Sequence, residues 1–434
     1  MAGSQVAWLN FDQDQQERTQ LLMAALSQQG TVDELGMGIL RDLISGVLFP
    51  GHTVLHTRAK YLLFLPRDFA GLRGSTADAL SKAARKAEGD RISLLRRHYE
   101  PHLRSKGIIG YTMGSETKQM PSGSYWGLLR QLRIYKAKGS IWDYYATFAA
   151  ERAAHAKRTM FHSEDEDTQA AAALEMWADV PDADESFGGF DLSPEEATWL
   201  RDRFLLSDRE ADESRSLVTW LLDPDRNEWV ENLKSIWNHP QADQFPGKTA
   251  EAMELGRDAD YLVFGARILY NYLCAVGRPD DSEQKSRLVA KYEDAMKDWT
   301  QDLELLPGLD RLNELDAWAR GRLDDVHASQ PARMRWALTI GFLRRWLHNV
   351  QASSDLLADA AAEATITRRE ASLKPGRARL VQLDRLRSWE GDSGYFRMDY
   401  NWAPTRRLLD DIHRGLGTPR VQAPNSVDDD SVVD

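Results

Sequence analysis

The sequence predicts a mainly α, multi-domain helical protein with a winged-helix-like N-terminal unit and a small α+β C-terminal segment. Three observations carry this. Apolar residues recur at helical spacing along most of the chain, as in Tyr125, Leu128, Leu129 and Leu132, a full i, i+3, i+4, i+7 set. At 434 residues the chain is longer than one ordinary core accommodates. One stretch only, Tyr395 to Trp402, reads convincingly as a strand.

The elements follow in order. Asp12 caps a helix over Gln13 to Gln28, and Gly30 ends it. Thr31-Val32-Asp33-Glu34 is a capping box, in which a hydroxyl and a carboxylate each satisfy an orphan amide of the next helix. That helix carries Leu35, Ile39, Leu43 and Val47 and stops at Leu48-Phe49-Pro50-Gly51. A shorter helix is expected from Thr53 to Leu65, ended by Pro66, then a long helix or a pair after Ser75, with Ile92, Leu95 and Tyr99 facing inward. Pro121-Ser122 opens a further helix, and Ser140 to Arg158 forms one that buries Trp142, Tyr145 and Phe148. Ser193-Pro194-Glu195-Glu196 is a strong helix start, and the pattern stays helical to about Gln351. The run from Tyr261 to Leu273 is apolar nearly all round, which predicts a central helix. After the strand at 395–402 comes a helix from Thr405 to His413. The expected domains are a basic helical domain over 1–160, an acidic linker over 161–192, a helical domain over 193–351, an α+β segment over 352–418 and a disordered tail over 419–434.

Cys274 is the only cysteine, so no internal disulfide forms, which fits a reducing compartment. The N-terminus lacks the basic and apolar regions of a signal peptide, and the run Tyr61 to Leu65 is far below the ~20 residues a membrane span needs. A cytoplasmic protein without membrane contact is expected.

Net charge is −12, yet residues 53–158 hold 20 Lys/Arg against 8 Asp/Glu while residues 163–232 hold 5 against 21. A split of this size points to a face for a polyanion, the alternative being that the acidic stretch folds back and neutralises the basic one. The best candidate interface is 91–138, where two helices joined through a Gly-containing turn resemble a helix-turn-helix or winged-helix unit. On its second helix Trp126, Arg130 and Arg133 fall at i, i+4, i+7, and Lys136 and Lys138 continue the charge. Arginines there would reach phosphates or guanine edges, and the aromatic ring would stack. Arg58, Lys60, Arg96 and Arg97 would flank them, with Arg377 and Arg379 from a second basic cluster at 368–387. The competing reading is an ordinary amphipathic helix with a solvated basic face and Trp126 in an internal contact.

Catalytic signals are weak. The carboxylates of 164–167 suit a solvated linker, and Glu116-Thr117-Lys118 has nuclease-like spacing without strand character. His155-Ala156-Lys157 is followed by His162 where a phospholipase-D-type nuclease needs Asp, and Cys274 belongs to a core stripe. No catalytic residue, metal site or cofactor is expected. Alternatives to a binding protein are an enzyme whose site assembles from scattered residues, and an acidic regulator that mimics DNA.

The phrases GTVDELGMGILRDLISGVLFPGHTVLHTRAKYLLFLP, PSGSYWGLLRQLRIY and RARLVQLDRLRSWEGDSGYFRMDYNWAPTRRLLDDIHRGL resemble an uncharacterised bacterial family, a full-length domain of unknown function. The resemblance implies a setting in anti-phage defence loci near helicases and phospholipase-D-like nucleases. It implies no catalytic residue. The expected partners are a nucleic acid, DNA first, or an acidic protein surface, together with a helicase or nuclease of the same system.

Overall fold

A computed structural model describes residues 33–99, 107–159, 176–184, 186–208, 215–225, 228–280 and 282–423. The chain is mainly helical. In order the elements are α1 (Gly38–Leu48), α2 (Tyr61–Ala70), α3 (Ala77–Tyr99), α4 (Pro121–Gln131), α5 (Ile141–Thr159), α6 (Pro194–Asp208), α7 (Leu217–Leu221) and β1 (Trp229–Glu231). There follow α8 (Gly247–Val276), α9 (Glu283–Gln301), α10 (Leu309–Asp325), α11 (Gln330–Ala352), α12 (Ala360–Leu373), α13 (Trp402–Leu416) and β2 (Arg420–Gln422). The expected helix at 13–28, the Thr31 cap, the linker carboxylates at 164–167, and the tail from 424 lie outside the described residues.

Two compact units form, and neither is continuous in sequence. The first takes Phe49–Asn232 and Asn401–Gln422; the second takes Leu233–Tyr400 with residues 33–48. This differs from the five consecutive segments expected, because contacts between distant segments, not composition, set the boundaries.

In the first unit, Phe69, Trp126, Tyr135, Tyr144 and Trp177 pack as one buried aromatic cluster. Tyr144 takes the inward position expected of Trp142, which is 38% exposed. The helix expected over Thr53 to Leu65 instead starts at Tyr61 and runs through Pro66. Thr53 to Lys60 turn because Tyr125 Oη accepts the Thr57 and Arg58 amides and donates to the Arg58 carbonyl, bonds that a helix would use itself. Helix α6 starts where expected, and Ser193 and Glu196 cap it reciprocally. Helix α13 crosses α6 at Gly415, where a Cβ would come within 2.6 Å of Ala197, so a side chain would force the helices apart. β1 and β2 pair in parallel, Trp229 opposite Arg420 and Glu231 opposite Gln422. Residues 420–422, expected in a disordered tail, are therefore part of a sheet. Trp229 also donates to Asp410 at 2.7 Å and stacks on His413.

In the second unit α8 is central, as its all-round apolar pattern predicts, and α1, α9, α10, α11 and α12 pack against it. Trp299 lies over Gly265 so closely that a Cβ there would meet its ring at 2.3 Å. The segment Tyr395 to Trp402 is not a strand. Polar side chains of α8 satisfy its backbone: Asp260 accepts the Met398 amide at 2.6 Å, and Arg267 donates to the Phe396 carbonyl at 2.5 Å. Left-handed φ angles at Tyr400 (49°) and Asn401 (71°) then turn the chain into α13. Its apolar alternation reflects the burial of Met398, Tyr400 and Trp402 at alternate positions.

Candidate nucleic-acid interface

The expected interface residues divide into those engaged within the fold and those left at the surface. Arg58 is engaged. Its guanidinium meets Asp411 at 2.7 Å and 2.9 Å and lies 4.7 Å from the Phe190 ring. Burial opposes that charge, and the Asp411 carboxylate outweighs the opposition, so the Arg58 pKa is raised. Lys60 is buried, donating to the Phe187 and Asp191 carbonyls with Glu196 at 3.4 Å. Glu196 also pairs with Arg67 at 2.9 Å, so the acidic stretch neutralises part of the basic one inside a single unit.

Trp126 does not share the Arg130 face. Its ring is buried, with Nε1 donating to Gly139 at 3.2 Å, 4.6 Å from the Tyr135 ring. The i+4 count from Trp126 to Arg130 fails because the helical face turns by about 40° over four residues, enough to carry Arg130 out of the core. In the second unit Arg379 pairs with Glu34 at 2.6 Å, whereas Arg377 is exposed. Arg96 is half-buried against Tyr111, and Arg97 is exposed in the last turn of α3. Arg130, Arg133, Lys136 and Lys138 are all exposed.

These four cations surround the C-terminal end of α4, and the local sequence dictates their arrangement. Pro121 enters α4 at its first turn, and the buried Glu88 of α3 accepts Ser122 N at 2.6 Å and Ser122 Oγ at 2.9 Å. Tyr125, Leu128 and Leu129 face the core, leaving Gly123, Gly127 and Arg130 outside. The helix closes when Arg133 N donates to Arg130 O at 3.0 Å and Ile134 N to Leu129 O at 2.9 Å. This closure puts Arg133 at φ 53°, a left-handed position that glycine usually fills. Tyr135 then bridges Trp177 in antiparallel fashion, turning its ring inward while Lys136 points out. Helix α6 adds a cation that sequence reasoning missed. Arg203 donates to the Arg133 carbonyl, and its pKa is lowered by burial and then by the Arg133 charge. Its signal was hidden in the acid-rich stretch 163–232, where averaging masks single arginines.

A basic residue at a helix C-terminus compensates the helix dipole, which accounts for Arg130. It does not account for Arg133, Lys136, Lys138 and Arg203 gathering just beyond. The helix-turn-helix resemblance is limited to α3 and α4 with the turns between them. The described residues of 91–138 hold no strand that would serve as a wing.

Chemically, the side chains exposed at this end of α4 are cations. Among the described residues no group of three His, Cys, Asp or Glu could hold a metal ion. Glu116-Thr117-Lys118 lies at a single 3₁₀ turn, Gly114–Glu116, and Cys274 is buried with its thiol pushed up to about 12 by burial. Among the described residues no helix is long and apolar enough to cross a membrane.

Comparison with curated proteins and with solved structures yields no match. A family model, described as a family of unknown function, matches residues 3–415, nearly the whole chain. The chain belongs to that family, DUF6361.

Proposed function

We propose that the protein is a non-catalytic nucleic-acid-binding or adaptor subunit that meets a polyanion with the cationic end of α4. The observation that carries this reading is Arg133. A non-glycine residue in the left-handed region costs about 1–2 kcal/mol, and here the residue that bears it is a cation among four others. Arg203 reaches the Arg133 carbonyl, and Arg130, Lys136 and Lys138 are exposed within five residues of Arg133 in sequence, so phosphates would be held by charge and position, not by base-specific geometry. The anti-phage setting, with a helicase or nuclease as neighbour in the cytosol, rests on the family resemblance alone.

A salt titration of binding to duplex DNA and to RNA tests it. Affinity should fall with salt, with a log–log slope of roughly −0.9 for each duplex phosphate neutralised. Arg130→Glu combined with Arg133→Glu should weaken binding at least about tenfold without lowering the melting temperature. No binding by the wild-type protein at about 50 mM salt, where such contacts are strongest, would refute the nucleic-acid reading.

A further inference from the structure

The second unit carries two surface features that the proposed function does not use. One is the turn between α9 and α10, Asp302-Leu303-Glu304-Leu305-Leu306-Pro307-Gly308-Leu309-Asp310. Leu305 and Leu309 are 59% and 53% exposed there, with Leu303 also exposed. The other is the outer face of α11. Met334 and Leu338 are 54% and 59% exposed, and Arg345 lies on the same stripe at helical spacing, with Arg335 beside it. Large apolar side chains clustered at a surface mark contacts with another molecule.

The two features are opposite in charge. Asp302, Glu304 and Asp310 are exposed and form no ion pair among the described residues, and the same holds for Arg335 and Arg345. Other charges on α10 and α11 are matched nearby: Arg333 with Asp324, Arg344 with Asp316, and Arg311 with Asp258. The unmatched anions therefore frame the leucine tip, and the unmatched cations frame the methionine–leucine face.

The two features do not meet within one chain. Asp316 bonds both Trp336 and Arg344 while Asp324 pairs with Arg333, so α10 and α11 run antiparallel and Leu338 lies level with about residue 319. Leu309 is then about ten residues away along α10, roughly 15 Å at the helical rise. The tip is fixed by helices on both sides, so the surface that suits it belongs to another molecule.

We propose that the acidic leucine tip at 302–310 docks on the Met334–Leu338 face of a second copy of this chain. Tip and face are different patches, so the contact is head-to-tail, and a pair keeps a free tip on one copy and a free face on the other. Apolar side chains supply the adhesion, while the charge frame selects orientation and weakens with salt.

Sedimentation velocity from about 1 to about 100 µM tests this, the range in which a small interface is populated. The wild-type protein should sediment faster as concentration rises, and less so at high salt. Leu305→Glu with Leu309→Glu should weaken self-association by at least about tenfold, as should Met334→Glu with Leu338→Glu, because each buries an unpaired charge at the contact. The decisive measurement mixes the two variants. The first keeps its face and the second its tip, so together they should form a dimer and nothing larger. Charge reversals provide a second pair that spares the apolar groups: Glu304→Arg and Arg335→Glu should each weaken assembly, and their mixture should restore it. A wild-type protein that stays monomeric throughout overturns the proposal. So does association that persists in either apolar variant, or a mixture of folded variants that remains monomeric.

Discussion

Replacing Asp411 with Ala should be among the most damaging single changes available in the first unit. The Asp411 carboxylate is 4% exposed and accepts from Arg58 Nη2 at 2.7 Å, Arg58 Nε at 2.9 Å and the Ala59 amide at 3.0 Å. The Arg58 side chain is only 14% exposed, so water cannot replace what is lost. Breaking a buried pair by removing one partner costs about 3–5 kcal/mol, mostly from the charge left behind. For a unit of this size each kcal/mol shifts the melting temperature by about 2–4 °C, so a fall of roughly 6–20 °C is expected. Calorimetry and urea unfolding read it directly. A double change, Arg58→Met with Asp411→Leu, removes charge and carboxylate together and should recover much of the loss. A loss below about 1 kcal/mol for Asp411→Ala, or a double variant as unstable as the sum of its singles, would show that the pair is solvated.

Other changes have definite directions. Arg133→Gly relieves the left-handed strain at φ 53° but adds unfolded-state entropy, a net gain of about 0.5–1 kcal/mol and a melting temperature higher by about 1–4 °C; salt-titrated affinity should fall in the same variant. Burial pushes His52 to about 4, His56 to about 3 and His413 to about 4, so the unfolded chain takes up protons that the folded one excludes. Stability should therefore fall as pH drops from about 6.5 towards 4, by up to about 1.4 kcal/mol per pH unit for each histidine. Glu88, raised by burial to about 7, acts oppositely, losing stability as pH rises from 4.5 through 7, and offsets one histidine of the three. Urea midpoints at pH 7, 5.5 and 4.5 check the sign. Truncation after Thr418 removes the partner of β1 and the ion pair between Arg420 and Glu231, and should lower the melting temperature measurably.

What the sequence made legible was local. The Ser193–Glu196 cap, the leucine face of α4 and the all-round apolar α8 depend on residues within a few turns, so spacing reveals them. Partnership at a distance was not legible. Arg58 and Lys60 read as free charge because Asp411 lies 353 positions later and Glu196 is folded over from the acidic stretch. Tyr395 to Trp402 reads as a strand because alternation reports burial on one side, and a loop held by Asp260 and Arg267 produces the same alternation. Trp126 is an error of another kind, since residues four apart on a helix are neighbours but need not share solvent.

The chain passes from one unit to the other at 48–49, 232–233 and 400–401, which has a consequence for how the protein is made. Domains generally fold as they leave the ribosome, the N-terminal one first. Here α1 emerges before anything it packs against, and waits for the body of the second unit. The first unit waits longer, because Asp411 and β2 are translated only after the body of the second unit. Until then Arg58 lacks the Asp411 carboxylate, and β1 is a strand without β2 beside it. A nascent chain stalled before residue 401 would present both defects at once. No single cut in the polypeptide would release either unit complete.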